Sequence, residues 1–243
     1  MTIRQLQLLK NKQSIWDIPD GKCMIHTINS HSYVVAADDP DFEKALLEAD
    51  VLIPDGIGIV KACKWINPDQ APQERVAGAD LFASEMERLE KRGGKCFFLG
   101  SSESVLETIA LRAANDYPHI QVESYSPPYK KEFSEEEDKA MIEAINSASP
   151  DLLWVGMTAP KQEKWLHKNW SQLEINCHAG AIGAVFDFYA GTLKRAPQWW
   201  IRHNLEWLYR LIREPGRMWR RYLVSGPRFI WMVFREKLRR DTP

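Results

Sequence analysis

Long apolar runs are missing from this sequence of 243 residues. No window carries the 18 or so uncharged apolar residues that a spanning helix needs. The first 20 residues also lack the unbroken apolar stretch of a signal peptide. Cysteine is scarce. Cys23, Cys63, Cys96 and Cys177 are scattered, with no CxxC pair and no histidine at metal-ligand spacing, which argues against a zinc-type centre. Three of them (Cys23, Cys96, Cys177) sit in short apolar runs and read as buried thiols. Net charge is nearly absent too: −1 for the whole chain gives no bulk attraction to nucleic acid. Neither GxGxxG nor GxxxxGK[ST] occurs, so dinucleotide and P-loop sites are unsupported. There is no internal repeat and no low-complexity segment. These absences predict a cytoplasmic globular protein of one large or two small domains.

What is present is unevenly placed. Positions 194–243 hold 13 Lys/Arg against 4 Asp/Glu, net +9, and five of the ten tryptophans. Positions 1–193 are net −10. The chain therefore divides into an acidic body, 1–193, and a basic, tryptophan-rich appendage, 194–243. Within the body, short apolar runs at 22–28, 51–53, 95–99, 120–123, 151–155 and 175–178 read as buried strands. Amphipathic stretches alternate with them. Leu81, Phe82, Met86 and Leu89 line one side of a helix over 79–92, and a second helix covers 104–117, before Pro118. A third, over 134–149, opens with Ser134 and Glu137 at capping-box spacing. This alternation predicts an α/β fold: a Rossmann-like, mostly parallel open sheet with helices on both faces, followed by a helical appendage.

Ligands of such sheets sit beyond the carboxyl ends of the strands, and unusual residues cluster there. In chain order they are Thr27-Ile28-Asn29, Pro54-Asp55-Gly56-Ile57-Gly58, Gly100-Ser101-Ser102, then Gly156 through Glu163, then Ala179-Gly180-Ala181-Ile182-Gly183-Ala184. Each has a plain structural reading as a turn or helix cap. Pro160 reads as a helix opener with Lys161 and Gln162 in the first turn, toward the strand ends.

Taken in order, these segments resemble the bacterial WecG/TagA/CpsF glycosyltransferases, glycosyltransferase family 26, over roughly positions 25–221. The likeness includes Arg75-x-x-Gly78-x-Asp80, Pro160-Lys161-Gln162-Glu163, Gly183-Ala184-x-Phe186-Asp187-x-x-x-Gly191 and Arg195-Ala196-Pro197. It closes with Glu206-Trp207-x-x-Arg210-Leu211-x-x-Glu214-Pro215-x-Arg217. His178 and Ala181 depart from the residues expected there. The resemblance implies metal-independent, inverting transfer of a sugar, often N-acetylmannosamine or its uronic acid, from a UDP-sugar to a polyprenyl-diphosphate-linked acceptor.

Inverting transfer needs a base for the acceptor hydroxyl and donors for the departing diphosphate. The resemblance points to Asp55 as base, against a turn aspartate; an aspartate carboxylate is ionised at neutral pH. Thr27 and Asn29 are candidates to hold the reacting sugar, against strand-end capping. Arg75 suits sugar or diphosphate, against pairing with Glu74 or Asp80. Gln162 has an amide for phosphate or sugar, against a solvated first-turn residue. Gly56 and Gly100 offer backbone to the substrate, and Asp187 is a candidate for uridine; Tyr125 or Tyr129 is a candidate to stack on uracil. No cofactor or metal is expected. The only DxD-like pair, Asp39-Pro40-Asp41, reads as the start of a helix.

The appendage then supplies cations. Ile201, Leu205, Leu208 and Ile212 fall on one helical face ending at Pro215, and a second segment follows. Ser225-Gly226-Pro227 is expected to break it before a third, from Phe229. Arg210, Arg217 and Arg220 match arginines of the family's appendage and are candidates for the diphosphate. Trp and Phe beside clustered Arg suit the headgroups of an anionic membrane, so peripheral attachment to the inner face of the cell membrane is expected. The competing readings are a helical hairpin packed on the body and a single-stranded nucleic-acid binder of the same fold, although no nucleic acid is expected. A nucleotide-sugar epimerase is disfavoured by the missing NAD fingerprint. The family often self-associates; the sequence leaves a homo-oligomer open, and Trp199, Trp200 and Trp219 suit an interface as well as a membrane.

Overall fold

A computed structural model describes residues 1–239 except Arg195 and Asn204, and omits the side chain of Arg217. Six strands form one all-parallel sheet: β1 (Cys23–Ile28), β2 (Val51–Pro54), β3 (Gly94–Gly100), β4 (Ile120–Tyr125), β5 (Leu152–Gly156) and β6 (His178–Ala181). Their spatial order is β2-β1-β6-β5-β3-β4. With every strand parallel, all six carboxyl ends open on a single rim.

Five strands lie where the apolar runs place them, but the sixth is shifted. Residues 175–178 were the expected strand, whereas β6 runs through Ala179-Gly180-Ala181, which reads as loop by composition. Its neighbours supply the reason. β6 is a central strand between β1 and β5, and a Cβ on Gly180 would fall on the ring of Trp154, itself fully buried. Small residues are needed there because a large one already fills the layer. His178 begins this strand, so it lies at the end remote from the rim. Its ring is buried, bonded to Glu85 at 2.9 Å and the Pro19 carbonyl at 2.8 Å.

Helices cover both faces, as right-handed crossovers require. α1 (Ser30–Ala36), α2 (Pro40–Leu47) and α3 (Ile57–Ile66) pack near β1 and β2 around Ile28, Tyr33, Phe42 and Leu52. α4 (Gly78–Arg92), α5 (Glu103–Asp116) and, later in the chain, α8 (Gly183–Ala190) enclose a cluster of Phe82, Met86, Phe98, Trp154 and Phe186. On the other face α6 (Glu135–Ala148) and α7 (Lys161–Asn169) pack Met141, Ile145, Trp165 and Leu166 against Phe97, Leu153 and Val155. The expected capping box forms: Ser134 Oγ accepts from Glu137 N, and Glu137 Oε2 from Ser134 N at 2.7 Å. Asp39 caps α2 through Phe42 N and pairs with Lys164 at 2.9 Å, so the DxD-like pair is a helix start. All four cysteines are buried and free.

The appendage differs from its expected shape in two places. The single helix through Ile201 and Ile212 is split into α9 (Gln198–Arg202) and α10 (Glu206–Arg213), and His203, just after α9, bonds its ring to the Trp199 carbonyl. α11 (Pro215–Trp219) follows, opened by Pro215 at a position that needs no N–H. The break foreseen at Ser225-Gly226-Pro227 does not occur. A π-helical turn over Arg220–Val224 runs into α12 (Ser225–Leu238), whose first turn accommodates Pro227. α12 packs on the body, where Phe229 and Val233 are buried against Tyr33 and Arg228 forks onto Asp38 at 2.5 and 2.6 Å. Among the described residues no helix is long and apolar enough to cross a membrane.

Candidate active site

The rim is built first by backbone. Asp55 N donates to Ile28 O and Val76 N to Pro54 O, so the ends of β1 and β2 and the segment before α4 lie side by side. This brings together Thr27, Asn29, Asp55, Gly56 and Arg75. Asn29 caps α1, its Oδ1 accepting from His31 N and Ser32 N at 3.0 and 3.1 Å. Capping engages the oxygen and leaves Nδ2 without a protein partner among the described residues. Gly56 abuts Asn29, and a Cβ on Gly58 would strike the Ser30 hydroxyl.

Arg75 organises the charge. Its Nη2 and Nε donate to Asp55 Oδ1 at 3.1 and 3.4 Å, while Nη1 donates to Glu206 Oε2 at 2.8 Å. Burial opposes its charge, but the Asp55 and Glu206 carboxylates outweigh that and hold the guanidinium above its usual range. The competing reading, a pairing of Arg75 with Glu74 or Asp80, is not formed among the described residues; Asp80 pairs with Lys12 instead. Asp55 is 28% exposed, and among the described residues no donor reaches its Oδ2. One carboxylate oxygen is thus fixed and the other has no donor among the described residues.

Across the sheet the rim continues through β3, β5 and β6. Gly100 has φ +113°, and a Cβ there would meet the Gly156 carbonyl, so the two strand ends touch. Ser101 and Thr158 follow with φ of +61° and +73°. Left-handed backbone costs a side-chain-bearing residue about 1–2 kcal/mol, and such strain gathers at working sites. Ser126 Oγ donates to Ser101 O at 2.8 Å, tying the loop after β4 to the one after β3. Tyr125 is half-buried there and Tyr129 fully exposed.

Gln162 is engaged internally. Its Oε1 accepts from Met157 N at 3.2 Å and Gly183 N at 3.1 Å, clamping the β5 loop to the start of α8. Its Nε2 donates to Glu163 Oε1 at 2.9 Å. Glu163, which sequence reasoning left without a role, is buried; burial raises its carboxyl to about 7, and Oε2 has no partner. Lys161 turns to the loop below, donating to Lys130 O and covering Phe133. Asp187, half-buried on α8, accepts from Thr192 Oγ1.

The appendage reaches the rim through α10. Arg210 lies 5.8 Å from the Phe188 ring of α8, and its Nε and Nη2 are buried with no hydrogen-bond partner. Arg220 is not brought there: it is exposed, stacked 5.3 Å from Trp219. The Arg217 side chain, like all of Arg195, lies outside the described residues. Sequence reasoning gave Glu206 no task. The signal was its spacing, four residues before Arg210 on one helix face. Among the described residues no cluster of three or more His, Cys, Asp or Glu side chains has the form of a metal site.

Comparison with known proteins finds related chains in Bacillus. A Bacillus spizizenii (strain W23) protein named N-acetylglucosaminyldiphosphoundecaprenol N-acetyl-beta-D-mannosaminyltransferase is 36% identical over 213 residues, 88% of this chain and 79% of that one. A Bacillus subtilis (strain 168) protein of the same name is 33% identical over 220 residues, 90% and 82% respectively. The profile of the glycosyl transferase WecG/TagA/CpsF family matches residues 4–243, and the chain belongs to that glycosyltransferase family.

Proposed function

We propose that this enzyme transfers an N-acetylmannosamine-type sugar, or a related hexose, from a UDP-sugar to a sugar carried on polyprenyl diphosphate. The transfer inverts the anomeric centre, needs no metal ion, and serves assembly of a cell-surface polysaccharide or teichoic-acid-type polymer. The observation that carries the reading is the pairing of opposites at the rim: a carboxylate with one free oxygen, and the buried, unpartnered guanidinium edge of Arg210. The names of the two Bacillus relatives support the sugar and the lipid-linked acceptor.

In this mechanism the acceptor hydroxyl oxygen attacks the anomeric carbon while Asp55 Oδ2 takes its proton. The bond from that carbon to the diphosphate oxygen breaks, and the electron pair leaves with UDP. Arg75 keeps the base ionised and oriented. Thr27 and the free Asn29 amide hold the sugar, Gly56 and Gly100 leave room for it, and Asp187 serves the uridine. Gln162 shapes the floor by joining the β5 loop to α8. Arg210, with Arg217, meets the diphosphate charge that a divalent ion would otherwise meet. The acceptor's lipid calls for a membrane. Ile230, Trp231 and Phe234 stand exposed on α12 beside Arg235 and Lys237, and each basic residue near an anionic surface adds about 1 kcal/mol.

The test is UDP release from a panel of UDP-sugars, with a short-chain lipid-diphosphate-GlcNAc acceptor, in EDTA. Acceptor-dependent release is expected for wild type, with Asp55→Asn slower by about 10²–10⁴-fold and still binding UDP. Full turnover by Asp55→Asn would remove the base from this scheme. Absence of release with every donor, beside tight binding of RNA, would replace the transferase reading with the nucleic-acid binder.

A further inference from the structure

α10 has a peculiarity. None of its residues is fully buried: Leu208 and Leu211 are half-buried, while Trp207 and Ile212 are exposed. Hydrophobic packing alone therefore holds its register on the body only loosely. Among the described residues, the charged links from α10 to the body are the Glu206–Arg75 ion pair and the stacking of Arg210 on Phe188. Glu206 is 12% exposed and Arg75 21%, so their contact is shielded from most of the solvent. Shielding makes such a pair stronger than a surface one, and makes loss of one partner costly.

We propose that Glu206 is a positioning residue: by holding Arg75 it registers α10 on the rim, so that Arg210, one turn further, keeps its buried, unpartnered guanidinium edge in place for the leaving diphosphate. This rests on the transferase reading above. The geometry gives one carboxylate two effects. A rigid guanidinium gripped at Nη1 by Glu206 cannot swing its Nε and Nη2 away from Asp55 Oδ1. Residues four apart on a helix share a face, so anchoring Glu206 also anchors Arg210. The base and the cation for the leaving group, 155 positions apart as Asp55 and Arg210 are numbered, are thereby held to one another through a single shared arginine.

The full-length protein tests this with Glu206→Ala, Glu206→Gln, Arg210→Ala and the Glu206→Ala/Arg210→Ala double variant. Removing a group that stabilises the developing charge costs about 10²-fold in kcat. Glu206→Ala and Arg210→Ala are each expected to lose about that much, with the KM for the donor nearly unchanged. The double variant is expected to be no slower than the worse single one, because Arg210 already misses its place when Glu206 is gone. Glu206→Gln still accepts from Arg75 and should recover about tenfold over Glu206→Ala. Losses that multiply to about 10⁴-fold in the double variant would overturn the proposal, since the two residues would then act separately. Amide hydrogen exchange supplies a readout free of activity: exchange over 206–213 should quicken in Glu206→Ala while β1–β6 keep their protection. Unchanged exchange over 206–213 would overturn the anchoring even for an active enzyme. Failure of wild type to release UDP would instead overturn the transferase reading, and the exchange result would still decide the anchor.

Discussion

Body and appendage solve the problem of apolar residues in opposite ways. The body hides them in three clusters around one sheet. Of the fourteen large apolar side chains that stand exposed among the described residues, ten lie at Trp199 or beyond. The appendage presents to the outside much of what the body buries. α12 shows both habits in one helix: Phe229 and Val233 enter the core, while Ile230 and Trp231 stand exposed and Phe234, also exposed, stacks on Trp65. A surface with that much aromatic area beside arginine is arranged to meet something that water is not.

The sharpest way to break this contrast is to remove the appendage. A chain ending at Thr192 loses Glu206 and Arg210 from the rim and uncovers the site of Phe229. Turnover with a soluble acceptor is expected to fall by about 10³-fold or more; full turnover would mean the rim is complete in the body alone. Next in size is a cavity in the body. Trp154→Ala, at a fully buried position opposite Gly180, should cost about 3–5 kcal/mol by chemical denaturation. A cost under 1 kcal/mol would deny that this ring dictates the small residues of β6.

A third effect is pH-dependent. Burial raises the Glu163 carboxyl from 4.5 to about 7 in the folded chain. The folded state therefore holds this proton more tightly than the unfolded one. Its contribution is fully present below pH 4.5 and is lost as pH rises through about 7. Between pH 5 and pH 9 the wild type should lose about 2–3 kcal/mol that Glu163→Gln does not lose. Parallel stability–pH curves for the two proteins would refute it. The smallest expected effect lies on the appendage surface. Trp231→Ser should leave stability in water within about 0.5 kcal/mol while weakening binding to anionic vesicles several-fold. Unchanged vesicle binding would take Trp231 out of the membrane face.

How much could be read in advance depended on which interactions were local. β1 to β5 announce themselves because β-branched and aromatic runs bounded by turn residues suit buried strands wherever they fall. Ser134 and Glu137 declare a helix start because both halves of that cap lie within four residues. The residues at the strand ends were legible as motifs for the same reason. β6 was misplaced because Ala-Gly-Ala carries no strand preference, and the bulk that demands small residues there belongs to Trp154 on another strand. Gln162 was expected to face substrate, yet its amide is bound by Met157, Glu163 and Gly183, the last brought close only by the sheet.

The sequence by itself determined the class of fold, the acidic body with its basic appendage, and the rim on which the chemistry-bearing residues gather. Strand and helix patterns, caps and charge content act over a few residues and survive without knowledge of the rest. The tertiary structure alone decided that Arg75 bridges Asp55 to Glu206, that Arg210 is left with buried, unpartnered guanidinium nitrogens, and that α12 belongs to the core. Those outcomes join positions 20 to 190 residues apart. Ion pairing and packing act through space, so their partners become neighbours only once the chain has folded.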